Sequence, residues 1–223
     1  MEFKEFYDRY WELIKFRNEF NLPKIVLNAW DDFSYIQESD TFKILKSHII
    51  KYKNPKILDI GAGDKKLKEI INLMKENFIY KSLDISKNVY HDFNDINSVT
   101  ENFDIIFMLE LIEHLPLELS LKYFSKSFEI LNENGVLIIS TPNIDHINQL
   151  WKQDITHIHQ YPAKDIYSIL RMIGFSNNIQ TFRINLTQPK LNLKKIVLER
   201  LRIIINKILG TDYAHGILII AKK

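Results

Sequence analysis

One short run, KILDIGAGDKKL over residues 56–67, restricts the fold more than any other part of the chain. An apolar, β-rich segment ends in an acid, Asp59, turns at Gly61 and Gly63, and passes into a charged helical pattern from Lys65. Strand, glycine turn and helix in that order open a βαβ unit, whose next strand returns parallel to the first. The remaining chain keeps the alternation: NFIYKSLDI, NVYHDF, FDIIFML, GVLIIST, NNIQTFRI and HGILIIAKK read as strands between helical patterns. This predicts an α/β fold, a mainly parallel sheet covered by helices on both faces. Pro116 opens a helix whose apolar positions Leu117, Leu121, Phe124, Phe128 and Leu131 recur every three to four residues, and Asn134-Gly135 then turns the chain. The first 55 residues read as helices with an aromatic stripe of Phe3, Tyr7, Tyr10, Trp11 and Ile14, a spacing that suits core or lid packing.

At 223 residues and 46% hydrophobic, the chain can close one sizeable core, so a single domain is expected over 1–223. Within it, 1–55 is a helical N-terminal extension and 56–223 a core that carries an insertion at 187–212. Thirty Lys and Arg against 28 Asp and Glu leave a charge of +2, which gives no support to a nucleic-acid partner. The lack of cysteine excludes disulfides, thiolate metal sites and Cys nucleophiles, so any metal must be held by His and carboxylates. No signal-like apolar core opens the chain and no run of 18 apolar residues occurs, which leads to the expectation of a cytoplasmic protein.

The acid before the glycine turn limits what the turn can hold. A dinucleotide site uses a third glycine for close helix packing, and Lys66 stands there instead. Asp59 adds negative potential where a pyrophosphate would sit and favours a ligand carrying positive charge. S-adenosylmethionine carries an ammonium and a sulfonium. Its ribose needs an acid at the end of the next strand, and Asp84 stands about twenty residues past the glycines, with paired oxygens for two hydroxyls. Asp92 and Phe93 are candidates for the adenine, as acceptor from its amine and as ring cover or backbone donor.

Together these residues resemble the class I S-adenosylmethionine-dependent methyltransferases over roughly 56–223. The likeness is carried by ILDIGAGD, SLDIS with HDF, FDIIFMLELIEHL, and NGVLIISTPN followed by THIHQYPAKDIYSILRMIGF. It implies a seven-stranded Rossmann-like sheet with a reversed final strand and a helical N-terminal cover. It assigns the cofactor to Asp59, Gly61, Gly63, Asp84, Asp92 and Phe93. Lys65 stands where many members have a third glycine, which leaves open the width of the turn and the hold on the cofactor's tail.

Glu110, Glu113 and His114 follow the fourth predicted strand, where open α/β sheets bind ligands. Carboxylates plus imidazole make a mixed oxygen and nitrogen set for a divalent ion, to which His157 of THIH can add. The Glu-x-x-Glu-His pattern with a distant histidine resembles the plant-type small-RNA 2′-O-methyltransferases and the ubiquinone-biosynthesis O-methyltransferases. That resemblance implies Glu110, Glu113, His114 and His157 as metal ligands. His114 and His157 are alternatively catalytic, as general bases that take a hydroxyl proton. The other histidines, His48, His91, His146 and His215, are read as structural.

Before the last strand, QPKLNLKKIVLERLRIIINKILG sets Lys190, Lys194, Lys195, Arg200, Arg202 and Lys207 against Glu199, with an apolar face of Val197, Leu201, Ile204, Ile205 and Ile208. Such a segment suits peripheral membrane contact through 190–209, cover for a greasy substrate, or packing on its own domain or a second subunit. The expected function is methyl transfer to an oxygen, or secondarily a nitrogen, of a small-molecule or lipid-linked acceptor. The competing readings are an RNA 2′-O-methyltransferase-like modifier and a nonenzymatic S-adenosylmethionine-binding module.

Overall fold

Near-continuous apolar runs such as KILDI, FDIIFML and GVLIIST have no polar face to leave in water, so each needs cover on both sides. A computed structural model of the protein describes residues 1–21, 26–29, 36–186, 197, 201, 204 and 212–223. Helices α1 (Phe3–Asp8) and α2 (Tyr10–Glu19) precede strand β1 (Val26–Ala29) and helix α3 (Asp40–Ile49). Then come β2 (Lys56–Ile60), α4 (Lys66–Met74), β3 (Ile79–Leu83), β4 (Phe103–Leu109) and α5 (Leu117–Ile130). The chain ends with β5 (Leu131–Pro142), α6 (Ala163–Ile173), β6 (Gln180–Leu186) and β7 (Gly216–Lys222).

The strands form one seven-stranded sheet in the order β1-β6-β7-β5-β4-β2-β3, all parallel except β7, which runs against both β5 and β6. Side chains alternate between two cores. Ile57, Ile105, Phe107, Val136, Ile138, Leu218 and Ile220 pack under α3 and α4, through Phe42, Leu45, Ile49, Leu67, Ile71 and Met74. Leu58, Ile60, Ile106, Met108, Leu137, Ile139 and Ile219 pack on the opposite face under α5 and α6, with Phe6 and Leu13 of the N-terminal helices. Ser39 caps α3, its hydroxyl accepting from the Phe42 amide at 3.2 Å. Arg17 clamps Asp165 with two hydrogen bonds of 2.6 and 2.7 Å, which ties α2 to α6.

Three expectations change. NVYHDF is not a strand: it meets β3 only at a single Leu83–Phe93 bridge, because the Asp92 side chain bonds the backbone of Ser82 and holds the segment as a loop. The seventh strand is β1, inside the region expected to be helical. It is four residues long, too short for a periodic signal, and it exists by pairing with β6. The aromatic stripe of the N-terminal helices does not pack inward. Phe6 and Leu13 are buried, while Phe3, Tyr7, Tyr10 and Trp11 are exposed, Trp11 at 78%. Most of the 187–212 insertion, including all its basic residues, lies outside the described residues. Of its apolar face, Val197, Leu201 and Ile204 are described, helical and exposed. Among the described residues no helix is long and apolar enough to cross a membrane.

This division of the aromatic residues is measurable by urea denaturation. Phe107→Ala, which empties a fully buried site on the inner strand β4, should cost about 3–5 kcal/mol. Trp11→Ala should stay within about 0.5 kcal/mol of the parent.

Candidate active site at the carboxyl ends of the strands

Parallel strands end together, so the loops after β2, β3, β4 and β5 share one edge of the sheet. The first is the glycine turn. Gly61 (φ +79°) and Gly63 (φ +48°) are left-handed, and a Cβ on Gly61 would meet the Leu111 side chain at 3.0 Å. A Cβ on Gly63 would meet nothing within 4 Å, so the turn is open on that side. The Gly61 and Ala62 amides both donate to the Leu83 carbonyl, at 2.8 and 3.2 Å, which closes the turn against β3. Lys65 keeps the left-handed conformation that a glycine would take, at φ +63° and ψ +24°, and leads directly into α4. The departure from glycine therefore leaves a left-handed junction into the helix, and the Lys65 amine stands 5.5 Å from the Tyr90 ring.

Asp59 is 3% exposed. Tyr80 on β3 donates its hydroxyl to Asp59 Oδ2 at 2.6 Å. Burial pushes the Asp59 carboxyl up to about 6, opposed by the Tyr80 hydrogen bond and reinforced by Asp84 and Asp64. Asp84 is fixed differently: Oδ2 accepts from the Gly63 amide and Oδ1 from the Ser86 amide, both at 2.8 Å. Each oxygen keeps a further lone pair, so two acceptor sites are held in place side by side.

Asp92 and Phe93 turn toward the protein. Asp92 Oδ1 accepts from Lys81 Nζ at 2.9 Å, and Oδ2 from the Ser82 amide and hydroxyl at 2.9 and 3.1 Å. Burial works against its charge, but these bonds prevail and hold it below the usual carboxylate range. The Phe93 N–H donates to the Ser82 carbonyl and the Phe93 carbonyl accepts from the Asp84 amide. Both residues thus fix the loop that carries Asp84.

After β4, Glu110 takes a left-handed conformation (φ +49°), a strained choice for a residue other than glycine. It is held across the sheet end: the Ser140 hydroxyl donates to Glu110 Oε1 at 2.6 Å. Glu113 is buried, with Oε2 accepting from Thr141 Oγ1 at 3.0 Å and Oε1 buried with no hydrogen-bond partner from the described residues' fixed donors. The Glu110 carboxyl is within hydrogen-bonding reach of it. Burial, then the facing Glu110, pushes the Glu113 carboxyl up, and burial likewise raises Glu110, so the pair favours holding a proton.

His114 Nδ1 lies 3.1 Å from the Thr156 carbonyl. A carbonyl only accepts, so Nδ1 carries the hydrogen and Nε2 keeps its lone pair. The Ile158 and His159 amides donate to the Glu113 carbonyl at 2.9 and 3.2 Å and draw the 154–159 loop over this turn. His157 then stands with its ring centroid 4.8 Å from that of His114. One ligand atom each from Glu113, His114 and His157 lie within 4.8 Å of one another. The fourth sequence candidate, Glu110, adjoins this cluster without being part of it. Tyr80, Ser140, Thr141 and Thr156 are the residues sequence reasoning missed; each is an ordinary strand or loop residue whose role depends on a partner far along the chain.

The sequence matches the family described as "Methyltransferase domain" over residues 36–180. No curated protein matches it in sequence. In fold it is similar to an S-adenosylmethionine-dependent methyltransferase of Archaeoglobus fulgidus, at TM-score 0.61 and 19% identity, covering 86% of this chain and all of that one. It is also similar to one of Thermotoga maritima, at TM-score 0.57 and 12% identity, covering 99% and 97% of the two chains. Phosphoethanolamine N-methyltransferase 2 of Haemonchus contortus, in complex with S-adenosyl-L-methionine, aligns at TM-score 0.59 and 18% identity, over 100% of this chain and 60% of that one. With its sheet order, glycine turn and family match over 36–180, the chain belongs to the methyltransferase domain family and is an S-adenosylmethionine-dependent methyltransferase.

Proposed function

We propose that the protein methylates an oxygen of a small-molecule or lipid-linked acceptor, with the reacting atoms beside Glu113, His114 and His157. The observation that carries this reading is the cluster itself: a buried Glu113 carboxyl facing Glu110, an imidazole whose Nδ1 is anchored on the Thr156 carbonyl with Nε2 left to the site, and a second imidazole against it. When bound, S-adenosylmethionine supplies an electrophilic methyl group on a cationic sulfur. Asp84 offers its two free lone pairs to the ribose hydroxyls. Asp59 sets a negative potential under the cationic end, and Gly63 leaves room for close approach. Asp92 and Phe93 act as positioning residues for the Asp84 loop.

On the acceptor side, His114 Nε2 or His157 takes the hydroxyl proton while the acceptor is held in line with the methyl group. The same atoms fit a divalent ion: Glu113, His114 and His157 would hold it, with Glu110 adjacent, and it would supply a Lewis acid that acidifies the acceptor hydroxyl. This set is what the likeness to the ubiquinone-biosynthesis branch implies. Ile155 (97% exposed) and Ile158 flank His157 with apolar surface suited to a greasy acceptor. Incubating the protein with ¹³C-methyl-labelled S-adenosylmethionine and a lipid-containing cell extract tests the choice of atom. An O-methyl carbon signal in the product is expected. Label on nitrogen, or label lost on ribonuclease treatment, overturns the oxygen acceptor or the small-molecule class.

Three variants separate the roles. Calorimetric titration with S-adenosylhomocysteine should show affinity at least about tenfold weaker in Asp84→Ala, roughly 1.4 kcal/mol; equal affinity removes Asp84 from the ribose. Asp59→Asn should be more stable than the parent at pH 7 but bind S-adenosylmethionine about tenfold more weakly. The sign follows from a folded value near 6 above an ordinary 3.8. Such a carboxyl favours the fold below its unfolded value and loses that contribution as pH rises through 6, so its charged form costs up to about 3 kcal/mol at neutral pH. Denaturation at pH 7 and pH 4 reads this: the gain in the Asp59→Asn variant should shrink at the lower pH. His157→Ala should lower turnover by about 100-fold or more while leaving S-adenosylhomocysteine affinity within about twofold.

A further inference from the structure

The amino-terminal end of the sheet, away from the methyl-transfer site, carries a cavity of about 440 Å³, within the range of small-molecule sites. Its lining comes from the end of α3, the start of β5 and β6, and the end of β7. Val136 and Ile220 contribute apolar surface. Tyr52 is fixed by donating its hydroxyl to the Asn134 carbonyl at 2.8 Å. Lys51 and Lys222 supply positive charge, and among the described residues neither is ion-paired. No carboxylate is among the described lining residues. The field of Asp104 reaches Tyr52, but its oxygens accept from the Lys56 amide and from Asn132, each at 2.8 Å. Asn178 and Gln180 add neutral amide donors.

Two unpaired lysines, amide donors, an aromatic wall and apolar floor residues describe a receptor for a small anion with an organic body. Inorganic phosphate alone would fill little of the volume. We propose that this cavity binds a phosphate monoester, its phosphate met by Lys51 and Lys222 and its organic part lying against Tyr52, Val136 and Ile220. The assignment is independent of the methyl acceptor, since Lys51 and Lys222 stand at the opposite end of the strands from Asp59, Asp84 and His114.

His48, also in the lining, is an internal reporter. Burial and then Lys51 hold its imidazole below the usual value, partly offset by a hydrogen bond with Gln180. The charged and titratable groups lining its cavity are Lys51, Tyr52 and Lys222, and an anion among them would oppose the lysine field and favour protonation.

Phenyl phosphate is the probe, with inorganic phosphate and phenol as controls. Calorimetry of the full chain should show one site for phenyl phosphate, at least about tenfold weaker binding of inorganic phosphate, and weaker binding still of phenol. Phenyl phosphate should move the His48 titration, followed by imidazole NMR, to higher pH. In Lys51→Ala/Lys222→Ala, affinity should fall at least about tenfold, with S-adenosylhomocysteine affinity unchanged as proof of an intact fold. Absence of phenyl phosphate binding, equal binding in the double variant, or a motionless His48 titration overturns the proposal. Inorganic phosphate binding as tightly as the ester overturns the role given to Tyr52, Val136 and Ile220.

Discussion

Between Leu58 and Ile60, two fully buried residues of β2, the Asp59 carboxylate is enclosed by an apolar sheet and meets the Tyr80 hydroxyl from the next strand. That contact ties the end of β2 to the start of β3. Past it, the Gly61 and Ala62 amides close on Leu83, and Asp84 returns the tie by accepting from Gly63. The turn is thus fixed at two levels by β3, and the second carboxylate is aimed by the backbone whose shape the first one helps hold. Asp84 and Asp64 also disfavour the charge on Asp59 and raise its value. A cationic ligand would relieve that field, whereas a phosphate would add to it.

The second acid cluster is arranged on the opposite principle. Asp59 has its shift opposed by a hydroxyl donor, while burial and the facing Glu110 favour the protonated form of Glu113. The difference comes from neighbours. Each accepts from one hydroxyl, Tyr80 for Asp59 and Thr141 for Glu113, but Glu113 also has another carboxyl within hydrogen-bonding reach, Glu110, whose backbone is held left-handed at the end of β4. Ser140 and Thr141, consecutive residues at the end of β5, each take one of these acids. Consecutive strand side chains point to opposite faces, so these two neighbours can hold carboxyl groups that approach the strand end from different sides.

The α/β class, the inner strands and the acids near the glycine turn were legible because each is a local signal. Buried parallel strands read as apolar runs, and a glycine turn after one is distinctive. The edges of the sheet were not. β1 is four residues that become a strand only by pairing with Arg183–Leu186, and NVYHDF has strand-like composition but is held as a loop by Asp92. The N-terminal helices show the same limit: aromatic spacing marked a face, yet Phe6 and Leu13, not the Tyr7 and Trp11 side, meet α5 and α6. At the site, the acids and histidines were visible as residue types, while Tyr80 and Thr156, which set their ionisation or tautomer, were not.

The excursion between β6 and β7 begins and ends at the carboxyl edge of the sheet, where the proposed function brings the methyl acceptor. Its far end is anchored there: Asp212 accepts from Arg183 on β6 at 3.2 Å and from the Ala214 amide at 2.9 Å, and its carbonyl accepts from the Ile147 amide at 2.8 Å. The described part of its apolar face, Val197, Leu201 and Ile204, recurs at helical spacing and is exposed. Leaving such side chains in water forgoes about 1.5–3 kcal/mol apiece relative to full burial. Ile155 and Ile158, on either side of His157, are likewise exposed, and under the proposed function an acceptor with a hydrocarbon tail would recover part of that burial. Under the proposed function, the chemistry would rest on the buried hydrogen bonds of the sheet ends and the choice of acceptor on exposed apolar surface, whose composition can change without disturbing the first.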